Sequence, residues 1–582
     1  MPVARPGGRC LVLLLLATSA SFGSSAAALQ GSATSDAAAA QPPSPRRLNA
    51  VVMGAPRAFS SVVERVVGSP GTPGLTELED LANAGLTAPD GAGVLRPVLA
   101  DAVPTLENGL WRIFPDGRME TTWRIRPNAR WHDGAPFTVD DLLFTMTVAQ
   151  DQQLSWWGDP LVRLVESARA DGGLTPASGP AVTVLWRAPA IDADMFFSRV
   201  AAQPLPRHLL GDAYATENSQ FLRHAYWSSQ FIGTGPFRVK EYIPSLVASL
   251  EANSQYVLGR PRLDEVVVRF IPDINTLVAQ ILALVVDLSL GPTVGASDAT
   301  AVRARWRGGR VESGPFTRWV AIYPQFIDPE PPIIASLPFR RALYHAIDRQ
   351  ELAAMLTGGL APEADAIIPP NDSAFADIEG QIAHYDYDPG YAFMLIEGLG
   401  YEGGADDFFL DAAGERLSVE IRTSGAATHS RSSVAVADYW ARVGVEATVT
   451  VYPGAQPLAP EARSTFPGFD LRTEPAGAGA LLRYHSSRTP LPENRFTGSN
   501  VSRYASPELN ALIDRYYVTI PSAERIPVLG QIVGHMSDRL PVMGLFFDTD
   551  PVLIRDTLVN VVPPTAATAS VAWNSHEWDI RR

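Results

Sequence analysis

An α/β protein of more than one domain is predicted from three observations: helix-start signals alternate with β-branched strand runs, no fixed-period repeat appears, and 582 residues exceed what one hydrophobic core holds. The elements follow in chain order. Arg5 and Arg9, an apolar run from Cys10 to Ala17 and small residues ending at Ala28 have the layout of a secretory signal peptide, with cleavage expected after Ala28. That apolar run is far shorter than the roughly 20 residues a spanning helix needs. Residues 29–47 are mainly Ala, Ser, Gln and Pro and are expected to be a flexible lead, with the folded body beginning near Leu48.

Strands are predicted at Glu120 to Ile125, Val182 to Trp186, Leu263 to Ile271, Leu417 to Ile421 and Val445 to Val451, all rich in β-branched residues. Thr138, with Asp141 three residues on, opens the apolar stretch Leu142, Leu143 and Met146, so its hydroxyl is expected to cap early backbone N–H groups. Asp348 with Glu351 starts a second helix that Gly358-Gly359 closes. Asp388-Pro389 and Ser506-Pro507 each place a capping side chain before a proline at the first helical position. Linker-like breaks fall at Pro329 to Pro332 and Ala476 to Ala480, and neither fixes a boundary.

Composition narrows the function classes. Removing Arg5 and Arg9 takes the formal charge from −15 to −17, an acidic balance that argues against nucleic acid and anionic lipid as partners. The one cysteine, Cys10, stands at the start of the apolar run and not at the cleavage point, so no lipid anchor is expected and the mature chain relies on its core, not on cross-links.

The run WRIRPNARWHDGAPFTVDD from Trp123 to Asp141 carries a resemblance, supported in order by Gly233-Thr234-Gly235-Pro236-Phe237, by Arg340 to Arg349, by Tyr387-Asp388-Pro389 through Tyr401, by Val443-Gly444-Val445, and by Tyr504 through Asp514. Together these segments resemble the family 5 extracellular solute-binding proteins, the peptide-, dipeptide- and nickel-binding group that serves ABC importers. The plain structural reading stands beside this: Asp133-Gly134 with Pro136 makes a tight turn, and His132 is a turn histidine packed on Trp131.

The resemblance implies a two-lobed α/β fold of the periplasmic-binding-protein type (type II, with an extra subdomain), in which the chain crosses twice between lobes beside a cleft. Residues 48–94, 227–318 and 545–582 would form the first lobe, 95–226 the extra subdomain and 319–544 the second lobe. It further implies a monomeric receptor in the periplasm or outside the cell. Such a receptor would capture a peptide or other polar organic solute and deliver it to ABC permease subunits, with no cofactor. The alternative is a chaperone-like or sensory protein on the same scaffold.

Catalysis is the rival class. None of the nine histidines is paired at helical spacing for zinc, and there is no G-x-S-x-G elbow, P-loop or dinucleotide fingerprint. Asp140-Asp141 and Asp406-Asp407 are sequence neighbours that do not face each other as a glycosidase pair must. No catalytic or metal site is therefore expected.

For the ligand site, peptide-binding relatives hold the α-amino group with an aspartate in a strand-to-loop segment, because a buried ammonium needs an ionised partner. The similar stretch here is Phe469 to Pro475, followed by Ala and Gly where that aspartate would stand. Three readings stay open: Glu474 takes over the amine, Arg472 faces the cleft and favours an anionic solute, or both are solvated surface charges. Trp156, Trp157 and Trp319 are candidates to wall the cavity, with ordinary core packing as the alternative for each and at least one expected to line the cleft.

Overall fold

The structure is a computed structural model that describes residues 45–66, 72–154, 160–171, 179–216, 218–452 and 458–581. The expected signal peptide, most of the lead, and Trp156 and Trp157 lie outside the described residues. Among the described residues no helix is long and apolar enough to cross a membrane.

Three main sheets organise the chain. The largest has seven strands in the order Gly309–Glu312, Val552–Arg555, Leu288–Ser289, Arg47–Val52, Glu265–Phe270, Val247–Ala252, Phe237–Ile243. Arg47–Val52 is parallel to both of its neighbours, with Leu48 opposite Val266 and Ala50 opposite Leu288. Its central residues are buried because helices and loops cover both faces, as parallel pairing requires.

The second sheet runs Glu446–Tyr452, Ser418–Ser424, Phe469–Pro475, Arg318–Pro324, Met543–Asp548. Helix Ala427–Ala441 makes the crossover between the parallel strands Ser418–Ser424 and Glu446–Tyr452. Two apolar cores flank this sheet. Val320, Ile322 and Leu471 belong to one, and Trp319, Ala321 and Tyr323 to the other. The third sheet is antiparallel, with strands Trp111–Ile113, Met119–Arg124, Ala181–Trp186 and Val165–Asp171, and packs its own core around Trp123, Val182 and Trp186.

Local signals explain the helix starts. The Asp348 carboxylate accepts from Glu351 N at 2.8 Å, Asp388 from Tyr391 N at 2.8 Å, and the Ser506 hydroxyl from Leu509 N at 3.2 Å. Thr138 is the N-cap of helix Val139–Ala149, as expected, and completes a capping box with Asp141, whose carboxylate reaches back to accept from Thr138 N at 2.9 Å and from the Thr138 hydroxyl at 3.2 Å.

His132 lies in the expected turn. Its ring lies buried between the backbone groups of a distant turn, with Gly233 N–H donating to Nδ1 at 3.2 Å and Nε2 donating to Gly235 O at 3.0 Å. Trp131 packs on Phe137 and His208. Burial pushes the His132 pKa down to about 4, so the ring is neutral near pH 7.

The chain passes between the seven-stranded and five-stranded sheets twice, at 313–317 and at 549–551. The two linker-like breaks lie elsewhere. Pro329 to Pro332 leads into the 3-10 turn Pro332–Ala335, and Ala476 to Ala480 into the 3-10 segment Ala478–Tyr484.

Candidate ligand-binding site

The two passages are bonded to each other. Gly314 N–H donates to Thr549 Oγ1 at 3.1 Å, and the Ser313 and Thr549 hydroxyls lie 3.0 Å apart. Just past the first passage, the Arg318 guanidinium holds Asp550 of the second and Asp548 at the end of the strand that leads into it, each at 3.0 Å. A Cβ on Gly314 would stand 2.2 Å from Asp550 O, so the close approach of the two backbones requires glycine.

Beside these passages opens a cavity of about 440 Å³, lined by Pro315, Thr317 and Asp550 from the passages themselves, by the start of helix Leu75–Ala82, by Gly291-Pro292, and by Arg199 and Ser570. Its floor depends on two glycines with positive φ, Gly74 at 82° and Gly291 at 68°. A Cβ on Gly291 would meet Glu77 Oε2 at 2.6 Å and Gly74 Cα at 2.9 Å.

The wall is charged. Arg199 Nε sits 3.1 Å from Asp80 Oδ1, and the Ser570 hydroxyl donates to Asp80 Oδ2 at 2.6 Å. Glu77 lines the cavity and is buried, and burial pushes its pKa up to about 7. Glu79, which accepts from Ser61 N at 2.6 Å, is likewise raised to about 7 by burial. Asp80 is raised by burial too, against the opposing pull of Arg199. The lining itself carries the carboxyl groups of Glu64, Glu77 and Asp550 and the guanidiniums of Arg65 and Arg199, with Glu79 and Asp80 behind it, so the wall offers polar groups of both signs.

On strand Phe469–Pro475 side chains alternate. Phe469 and Leu471 enter one core. Asp470, Arg472 and Glu474 share the other face, opposite Tyr323, Ala321 and Trp319. All three charged residues are buried, Arg472 and Glu474 at 8% exposure each, which removes the reading of them as solvated surface charges. The Arg472 guanidinium is hydrogen-bonded to Asp470 and lies 3.7 Å from Glu474, whose other oxygen is held by Arg483. Burial lowers the Arg472 pKa, opposed by Glu474. A second cavity of about 400 Å³ reaches this ladder, lined by Arg463, Arg472, Glu474 and Arg483 among others.

Of the tryptophan candidates, the structure describes one. Trp319 is 2% exposed and packed in the core with Tyr323 and Phe547, against the Gly544 backbone, so it presents no face to a solute. The structure therefore brings Arg472 and Glu474 together at a cavity and leaves Trp319 out of it. Glu77, Asp80, Arg199, Arg318 and Asp550 were not expected. The only sequence signals near them are the turn pairs Pro73-Gly74 and Gly291-Pro292, which mark sharp bends without pointing to chemistry. Among the described residues no group of three or more His, Cys, Asp or Glu is arranged to hold a metal ion.

Residues 101–476, more than half of the chain, match the family model described as bacterial extracellular solute-binding proteins, family 5 Middle. The chain belongs to this family. Among its relatives, the oligopeptide-binding protein AppA of Bacillus subtilis is 24% identical over 399 residues, covering 66% of this chain and 67% of AppA. Heme-binding protein A of Haemophilus influenzae is 26% identical over 322 residues, covering 54% of each. A Brucella ovis protein named for ABC transporter peptide binding is 27% identical over 294 residues, 50% of this chain and 51% of that one, so the chain spans about half the length of the first curated relatives it matches.

Solved structures of family 5 type share the fold over 92% of the chain. The oligopeptide-binding protein of Thermus thermophilus with a pentapeptide superposes with a TM-score of 0.63 at 20% identity, covering 97% of that chain. NikA of Brucella suis with Fe(III)-EDTA does so at 0.70 and 18%, covering all of NikA. At these identities the likeness shows the periplasmic solute-binding fold and nothing of the cargo.

Proposed function

We propose that this family 5 protein is the extracytoplasmic receptor of an ABC importer. It captures a peptide or other polar organic solute between two lobes and delivers it, unaltered, to a membrane permease. The observation that carries this reading is the pair of mutually bonded passages, Ser313 to Thr317 and Thr549 to Pro551, running beside a charge-lined cavity. Two rigid bodies joined by two short adjacent segments can rock about them, and a solute that binds the closed arrangement more tightly shifts the population toward it.

The first lobe would comprise 48–94, 227–318 and 545–582, the extra subdomain 95–226, and the second lobe 319–544. Sheet membership supports moving the lobe limits to the passages, because Arg318 already opens a strand of the five-stranded sheet and Gly544 lies within Met543–Asp548. Export by cleavage after Ala28, a periplasmic or extracellular location and a monomeric state complete the proposal. The names of the relatives, which refer to peptides and heme, support a solute of organic character. No feature of the site favours the chaperone-like or sensory alternative.

A thermal-shift screen of the exported protein against peptides, metal chelates and small organic acids tests the reading. A solute bound by the native state alone raises the melting temperature by mass action, with ~2.7 kcal/mol gained at a hundredfold excess over Kd. Stabilisation by at least one solute, recovered chemically unchanged, is expected. Turnover of the solute, or no stabilisation by any class, contradicts it.

A further inference from the structure

We infer that the cavity beside the five-stranded sheet takes an oxyanion of the solute, a carboxylate or phosphate, on Arg463, Arg472 and Arg483, and so does not clamp an ammonium. The inference rests on the importer reading and names the class of solute. Its basis is the charge count of the lining: three guanidiniums meet one carboxylate, Glu474, in a space of about 400 Å³. That carboxylate is already shared between Arg472 and Arg483. An incoming ammonium would meet no ionised oxygen that is not already neutralised, and it would sit among three cations in a site where burial weakens solvent screening.

An oxyanion meets the opposite situation. Arg472 lines the cavity and is more than nine-tenths buried, so its charge stands beside that space with little solvent to screen it. Asp470, on the same face of the strand, takes one end of the Arg472 guanidinium but lies outside the lining, so it fixes the side chain without closing the cavity. Arg483 is a third exposed, and Arg463 stands at the exposed edge, so both have freedom to turn toward an anion entering from solvent. Planar guanidiniums bind carboxylate and phosphate in bidentate fashion, which suits such a cluster better than a point charge.

The test is calorimetric titration of the full exported protein with tricarballylate, inorganic phosphate and cadaverine, repeated on Arg463→Gln and Arg483→Gln. Arg463 is exposed and Arg483 a third exposed, and circular dichroism checks that each variant is folded. Binding of tricarballylate or phosphate, weakened at least about tenfold by either substitution, and no binding of cadaverine, is the expected result. Which of the two anions binds separates a carboxylate cargo from a phosphorylated one. Cadaverine binding as tight as the anions, anion binding that both variants leave unchanged, or no anion binding at all overturns the inference. The importer reading survives any of these if another solute stabilises the protein in the thermal screen, so the two failures are distinct.

Discussion

Arg318 Nη2 lies 3.0 Å from Asp550 Oδ1, an ion pair that ties the residue just past one passage between the sheets to the middle of the other. Because the same guanidinium also holds Asp548, a single side chain fastens the two passages about which any rocking of the lobes turns. Arg318→Met should loosen that fastening. The side chain is 39% exposed and screened by solvent, so the stability lost is only about 1 kcal/mol. The larger effect is expected in dynamics: amide exchange at Gly314 and Thr317 should quicken relative to the sheet interiors, as measured by hydrogen–deuterium exchange.

The Glu77 carboxyl gives a pH dependence of definite sign. Its folded pKa of about 7 lies above the ordinary glutamate value of 4.5, so between these pH values the folded chain keeps a proton that the unfolded chain has lost. Stability contributed by this group is therefore full below about pH 4.5 and falls as pH rises toward 7. Glu77→Gln, which imitates the protonated form, should match the parent near pH 5 and exceed it near pH 8 by up to roughly 3 kcal/mol. His132, with its lowered pKa, pushes stability the other way between about pH 4 and 6.5. The difference between the two proteins cancels that contribution, so urea midpoints of parent and variant from pH 5 to 8 are the measurement.

Gly291→Ala should damage the cavity floor. The new methyl would meet Glu77 Oε2 and Gly74 Cα at a backbone φ of 68°, where a side chain costs about 1–2 kcal/mol even with free space. A loss of about 2 kcal/mol or more in chemical unfolding is expected, with solute affinity falling alongside it.

Glu474→Gln should destabilise the protein by roughly 3 kcal/mol, because it removes the charge shared by Arg472 and Arg483 inside the sheet's flank. Thermal unfolding followed by circular dichroism reads this directly. An unchanged melting temperature would mean the carboxylate is not part of the buried ladder.

These residues also show where the sequence stopped being readable. The caps at Asp348, Asp388 and Ser506 were legible because a cap is a contact between residues three apart, and the strand runs were legible within three residues of their limits. The passages between the sheets carry no local signal. Ser313 and Thr549 meet across a long stretch of chain, and nothing near either differs from an ordinary strand end. Glu77, Glu79 and Asp80 sit in a short helix whose pattern suits a solvated face, and only the packing of Gly74, Gly291 and Arg199 around them buries it. The alternation of Phe469 to Pro475 likewise reads as one buried and one wet face. The segment Ala478–Tyr484 covers the second face, bringing Arg483 onto Glu474 and Tyr484 to within 3.3 Å of Tyr323.

Small-angle X-ray scattering of the exported protein, alone and saturated with a solute that stabilises it, tests the two-lobed capture most directly. A smaller radius of gyration on binding, at unchanged molecular mass, is expected as the lobes shut about the passages fastened by Arg318. Identical profiles with and without a bound solute, both fitting a single compact body, would contradict it.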